Sequence, residues 1–86
     1  LLGVRKDGGI VIIVADGRQG GYSDGLDLCD AALLLKSYGA SDAINFDGGG
    51  SSTFVVKGEN GALSVQNRPS DGALRKVGDC LVLSAA

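Results

Sequence analysis

The sequence contains no histidine, no tryptophan and no methionine. Without histidine, a Ser-His-Asp triad, a Cys-His pair and the common histidine-bearing zinc sites cannot be built from this chain alone. Cysteine occurs twice, at Cys29 and Cys80. Two cysteines make no disulfide framework, and their spacing fits no zinc motif. Both are expected as small buried apolar residues; a single disulfide between them is the minor alternative. Only one proline is present, so the chain is not a Pro/Gly-rich disordered tract. The longest apolar run, Ile10–Ala15, is far too short to span a membrane and suits a buried strand. No basic stripe marks a nucleic-acid surface, and the net charge is -2.

Glycine, by contrast, is abundant, with 15 in 86 residues. With few prolines, so many glycines imply turns and close backbone approaches. The length allows one small domain, 1–86, with a marginal core.

Along the chain, Leu1–Arg5 reads as a strand, and Lys6–Gly9 as a turn marked by Asp7-Gly8. Ile10–Ala15 is a β-branched run expected as a central strand. The loop Asp16–Gly25 leads into a helix over Leu26–Tyr38. Ser23 or Asp24 is the expected N-cap, and Asp27 and Asp30 suit the positive end of the helix. Gly39 is placed for a left-handed C-terminal cap. Strands follow at Ala43–Phe46, Ser52–Val56, Ala62–Val65 and Cys80–Ser84. Asn60-Gly61 forms the tip of the hairpin between the third and fourth of the five strands after Ile10–Ala15 is counted first. The predicted class is α+β: a mixed β-sheet with a β-α-β unit and one main helix packed on it.

The β-α-β order has a geometric consequence. If Ile10–Ala15 and Ala43–Phe46 share a sheet, they run parallel, and both end at the same edge. Ligands of open α/β sheets bind at that carboxyl edge. Asp16 and Arg18 then converge with Asp47 and the glycines Gly48, Gly49 and Gly50. Successive glycine amides can cradle an anionic oxygen. Ser51, Ser52 and Thr53 add hydroxyl donors, and Arg18 has a planar fork suited to phosphate or carboxylate. Paired carboxylates are the usual equipment for cleaving glycosidic bonds. Each part also has a plainer reading. Asp-Gly is a common turn, Arg18 alone is an ordinary surface cation, and a Gly/Ser run can be a linker. Against the linker stands its position between two strand-like apolar runs. The carboxylates also suit a structural cation such as calcium.

At these residues the sequence resembles the phosphodiester glycosidases. The stretch VADGRQGGYSDGLDL resembles that family's DGR-x-x-G-x-S-x-G segment entering a helix. YGASDAINFDGGGSSTFVV is similar to its DGGGSST signature, and NRPSDGALRKV to its N-x-P-S-D segment followed by arginine. The resemblance implies a hydrolase acting on a glycosyl phosphodiester or related α-glycosidic bond, in a family whose type activity removes N-acetylglucosamine from a phosphodiester. It implies that the chain is the C-terminal portion of such a domain. An upstream segment or self-association would then complete the fold. A secreted or lumenal setting goes with it. No cofactor is expected beyond the structural cation, such as calcium, that the carboxylates suit. Matching positions imply Asp47 and Asp16 as catalytic carboxylates; Asp30, at a position where the family pattern has Glu, is the third candidate, with helix-start electrostatics or packing as its plainer reading. Arg18, Ser23, Gly25, Asn45, Gly48, Gly49, Gly50, Ser51, Ser52, Thr53, Asn67 and Arg75 are implied as substrate-binding residues, and Gly17 and Pro69 also match. The chain departs from the family pattern at Asp27 and Asp30, where Thr and Glu are usual; an Asp is one methylene shorter than Glu. The alternative to a hydrolase is a non-catalytic module that binds a phosphosugar or cell-wall glycan.

Overall fold

A computed structural model describes residues 1–84. Five short strands and one helix follow in the order β1 (Leu2–Arg5), β2 (Ile10–Ile12), α1 (Leu28–Ser37), β3 (Ala40–Ile44), β4 (Val55–Lys57) and β5 (Leu63–Val65). A short 3-10 turn, Gly49–Ser51, lies between β3 and β4. The class is α+β, with a three-stranded sheet ordered β2-β1-β3 and a separate β4-β5 hairpin.

The Asp7-Gly8 turn folds β2 back onto β1. Gly9 N–H donates to Asp7 Oδ1 at 2.9 Å, and Arg5 N–H to Gly9 O at 2.8 Å, closing the hairpin. β1 then pairs antiparallel with β2 on one side and with β3 on the other. Two strands antiparallel to a shared neighbour run parallel to each other. The β2-α1-β3 unit therefore has parallel strands, with β1 inserted between them. This corrects one expectation: the Ile10 strand lies at an edge, and β1 occupies the centre. A β-branched run fits either place, because strand propensity reports side-chain packing rather than sheet position.

Strand register decides which residues cover the sheet. Gly3 faces Val11 on β2 and Ala43 on β3, so these three share one face. Helix α1 lies over that face. A Cβ on Gly3 would come within 2.8 Å of Ala40 Cβ and 3.2 Å of Leu35 Cδ2. Gly3 thus sets how closely the helix approaches. Leu35 and Ala31 are the buried apolar side chains of this contact, each 2% exposed. Burying one leucine fully stabilises by about 1.5–3 kcal/mol. The opposite face carries Leu2, Val4, Ile10, Ile12 and Ile44, read from the same register. It is uncovered: Ile10 is 58% exposed and Ile44 56%.

Helix α1 starts two residues later than its apolar pattern predicts. Its N-cap is Asp27, whose Oδ1 accepts from Asp30 N–H at 2.7 Å, rather than Ser23 or Asp24. Ser23 is drawn away because its hydroxyl donates to the Asp16 carbonyl at 2.6 Å. At the other end Gly39 takes φ +91, the left-handed conformation that the cap requires.

Three further expectations are corrected. Cys80–Ser84 forms no strand; among the described residues it has no ladder partner. The strand expected over Ala43–Phe46 is displaced, running over Ala40–Ile44 and ending before Asn45. Cys29 and Cys80 are both free and exposed rather than buried. No helix is long and apolar enough to cross a membrane among the described residues.

Candidate functional site

The loops after β2 and β3 leave the sheet at one edge, as parallel strands require. The first loop, from Asp16 to Gly25, closes on itself. Gln19 and Ser23 form an isolated antiparallel bridge. Gly25 has φ +88, and a Cβ on Gly17 would meet Gly25 Cα at 3.2 Å. The two glycines of the DGR…G pattern are therefore where the two ends of the loop touch.

Asp16 is the hub of a polar cluster. Its Oδ2 accepts from Arg68 N–H at 2.9 Å and from the Tyr22 hydroxyl at 3.1 Å. Its Oδ1 accepts from Asn67 Nδ2 at 3.1 Å. The backbone hydrogen bond from Arg68 lowers the Asp16 pKa below its ordinary value; desolvation opposes this, and the Asn67 and Tyr22 bonds reinforce it. Reciprocally, the bond to Asp16 raises the Tyr22 pKa. Gln19 Nε2 donates to Arg68 O at 2.7 Å, so Arg68 is held at both its amide and its carbonyl.

Asn67 ties this cluster to the glycine loop. Its Nδ2 donates to Ser52 O at 2.7 Å as well as to Asp16, and its Oδ1 accepts from Phe54 N–H at 2.7 Å. One amide thus joins three segments: the loop after β2, the exit of the glycine loop and the segment after β5. Both of its donor hydrogens are engaged within the chain.

The glycine loop is pinned from a second side. A Cβ on Gly50 would collide with the Asp71 carboxylate, which lies against it. Arg75 holds that carboxylate through Nε at 3.0 Å and Nη2 at 2.7 Å, and its Nη1 donates to Ser51 Oγ at 3.3 Å. Asp47 is exposed, and its Oδ1 accepts from Gly48 N–H at 3.0 Å. Its Oδ2 has no hydrogen-bond partner among the described residues. The Arg18 guanidinium lies beside the same loop: a Cβ on Gly49 would be 3.3 Å from Arg18 Nη1. Arg18 itself has φ 55, the left-handed region that a non-glycine residue seldom occupies.

Of the residues expected at the edge, the structure joins Asp16 to Asn67 and Ser52, Arg18 to Gly49, and Arg75 to Ser51. Ser23 and Gly25 belong to the first loop and serve its closure. Thr53 donates to Ser51 O at 3.3 Å, inside the glycine loop. Asn45 is exposed, directly after β3. Asp30 is exposed in the first turn of α1, where it suits the helix dipole; its backbone N–H donates to Asp27, and among the described residues it makes no hydrogen bond to Asp16 or Asp47. Sequence reasoning missed Tyr22, Arg68, Gln19 and Asp71. For Asp71 a signal existed, its place in the PSD segment four residues before Arg75. For Tyr22 there was none, since a lone loop tyrosine has no pattern. No group of three or more Cys, Asp or Glu capable of holding a metal ion occurs among the described residues.

An α+β sheet edge with an acidic hub, a pinned glycine loop and a left-handed arginine defines a class of loop-built polar site. Comparison with known proteins makes that more particular: the family model for phosphodiester glycosidase matches residues 1–84, and the chain belongs to that family. Over 83 residues, 96% of this chain, it is 41% identical to the SPbeta prophage-derived uncharacterized protein YomE of Bacillus subtilis (strain 168). Over 70 residues, 81% of this chain, it is 39% identical to the N-acetylglucosamine-1-phosphodiester alpha-N-acetylglucosaminidase of Mus musculus. The matched region covers 12% of each of these two relatives. No solved structure matches the chain.

Proposed function

We propose that these residues form part of the active site of a hydrolase that cleaves a glycosyl phosphodiester or related α-glycosidic bond. Family membership is the observation that carries this reading. The geometry supports roles for the residues. Arg18, the amides of Gly49 and Gly50, and the Ser51 and Ser52 hydroxyls hold the substrate phosphate, while the Gly48 amide is engaged by Asp47. Phosphate is already a good leaving group, so a strong general acid is less needed. Asp47, with one free carboxylate oxygen, activates water or stabilises the oxocarbenium-like centre. Asp16 is a different kind of carboxylate. Both its oxygens accept hydrogen bonds from within the chain, so it orients the loops and adds negative potential rather than moving a proton. Asn67 acts in the same way, as a positioning residue.

The uncovered sheet face supports reading residues 1–86 as one portion of a larger domain, with further polypeptide or a second copy packed on it. A secreted or lumenal setting follows from the family reading.

The occupancy of Asp16 favours a second reading, in which the same edge binds a phosphosugar or cell-wall glycan without turnover. Assaying a sugar phosphodiester with the intact protein and its Asp47→Asn variant separates the two. The hydrolase reading requires turnover in the wild type and its loss in the variant, with circular dichroism unchanged. Full activity in Asp47→Asn sinks the role given to Asp47, and binding without wild-type turnover favours the second reading.

A further inference from the structure

The chain has four arginines, and they divide into two kinds. Arg5 pairs with Asp7 at 3.2 Å, and Arg75 with Asp71 at 2.7 Å. The guanidinium groups of Arg18 and Arg68 have no hydrogen-bond or ion-pair partner among the described residues. Both nevertheless belong to the same loop network. Arg18 lies against Gly49. The Arg68 guanidinium carbon sits 4.4 Å from the centroid of the Tyr22 ring. The Tyr22 hydroxyl in turn donates to Asp16 Oδ2, the oxygen that also accepts from Arg68 N–H.

Arg68 is exposed, yet its position is fixed from two directions. Here the Arg68 amide and carbonyl are both clamped, by Asp16 and Gln19. Stacking on Tyr22 then restricts the guanidinium while leaving its N–H edge unused, because a cation–π contact occupies the face and not the donors. A planar fork held this way has less entropy to lose when it meets a bidentate oxyanion.

We infer that Arg68, stacked on Tyr22, is a second anion-binding residue of this site, taking oxygens of the substrate phosphate together with Arg18. The inference rests on the proposed function, because it supposes that the phosphate lies at this loop edge. Tyr22 is a positioning residue: its ring presents Arg68, and its hydroxyl registers the ring on Asp16. Its ring edge also makes the site partly aromatic.

The test is calorimetric titration of inorganic phosphate into the intact protein and its variants, with each fold checked by circular dichroism. Arg68→Ala is expected to raise the phosphate Kd at least about tenfold, the scale of one lost charge-assisted hydrogen bond. Arg68→Lys restores part of the affinity, as a point charge without the fork. Tyr22→Leu weakens binding several-fold by releasing Arg68, whereas Tyr22→Phe keeps the ring and most of the affinity. A loss caused by Arg18→Ala but not by Arg68→Ala overturns the inference and leaves the site reading intact. A loss caused by Arg68→Ala alone overturns the shared grip with Arg18 and leaves Arg68 as the sole arginine on the phosphate. A wild type that binds no phosphate overturns both.

Discussion

The Asn67 side chain reaches Asp16 across 51 positions of sequence, with Nδ2 donating to Oδ1 at 3.1 Å. The same amide holds Ser52 and Phe54 on the far side of the glycine loop. The two loops that leave the sheet are therefore fastened by one short polar side chain.

Asn67→Ala removes all three of these bonds and leaves the Phe54 amide without its acceptor. A net contribution of about 1 kcal/mol per hydrogen bond sets the scale. Discounted for partial exposure, the expected loss is about 2 kcal/mol, read as a shift in urea midpoint at unchanged slope. A loss of only a few tenths would mean that the two loops are fastened elsewhere.

Gly50→Ala drives a methyl group into the Asp71 carboxylate. Overpacking of this kind costs about 1–3 kcal/mol. Asp71→Gly should relieve the clash, so the double variant is expected to be more stable than additivity of the single changes predicts. Strict additivity in a thermal-melt cycle would show that Asp71 does not rest on Gly50 in solution.

Arg18 offers a stability and function trade-off. Its backbone φ of 55 is one that glycine adopts without cost. Arg18→Gly is expected to leave stability unchanged or raise it by up to about 1 kcal/mol. It should weaken phosphate binding at the same time. Parallel denaturation and titration check both halves; a variant that loses stability would show that the guanidinium contributes to folding rather than to binding.

Acid sensitivity should trace to Asp16. Its folded pKa lies below the ordinary value, chiefly because Arg68 N–H donates to it. A depressed carboxylate contributes stability that is complete above its unfolded pKa of about 3.9 and fades as pH falls through the folded one. Asp16→Asn should flatten the stability profile below about pH 4. Tyr22 has the opposite sign. Its pKa is raised by the same bond, so its contribution is present at neutral pH and is lost in alkali. Spectrophotometric titration of the phenol should show that ionisation returning to its ordinary range in Asp16→Asn.

Much of the scaffold was legible in the residues, because the determinants were local. Asp7-Gly8 announced a hairpin, the leucine-rich run a helix, and Gly39 its end. The meeting of Arg18 with Gly49 followed from the parallel direction of two strands. What stayed hidden was tertiary. Nothing in Leu2–Arg5 says that it takes the middle of the sheet, since that depends on β3 choosing its free side. Asp27 displaced the expected caps only because Ser23 found the Asp16 carbonyl instead. Cys29 and Cys80 have core-like chemistry but lie on surfaces that these residues leave uncovered. Tyr22 and Arg68 carried no periodic or motif signal; their importance appears only when residues some 50 positions apart meet.

The insertion of β1 between β2 and β3 has a practical corollary. β1 runs against both neighbours, so its first residue stands where theirs finish: Leu2 is level with Ile12 and with Ile44. Leu1 even exchanges hydrogen bonds with Ile13 there, each 3.0 Å. With strands about 4.8 Å apart, the outer two are separated by about 10 Å at that level, and Leu1 lies in the gap. Polypeptide joined ahead of Leu1 sets out from the space between the two loops, as a neighbour of the candidate site.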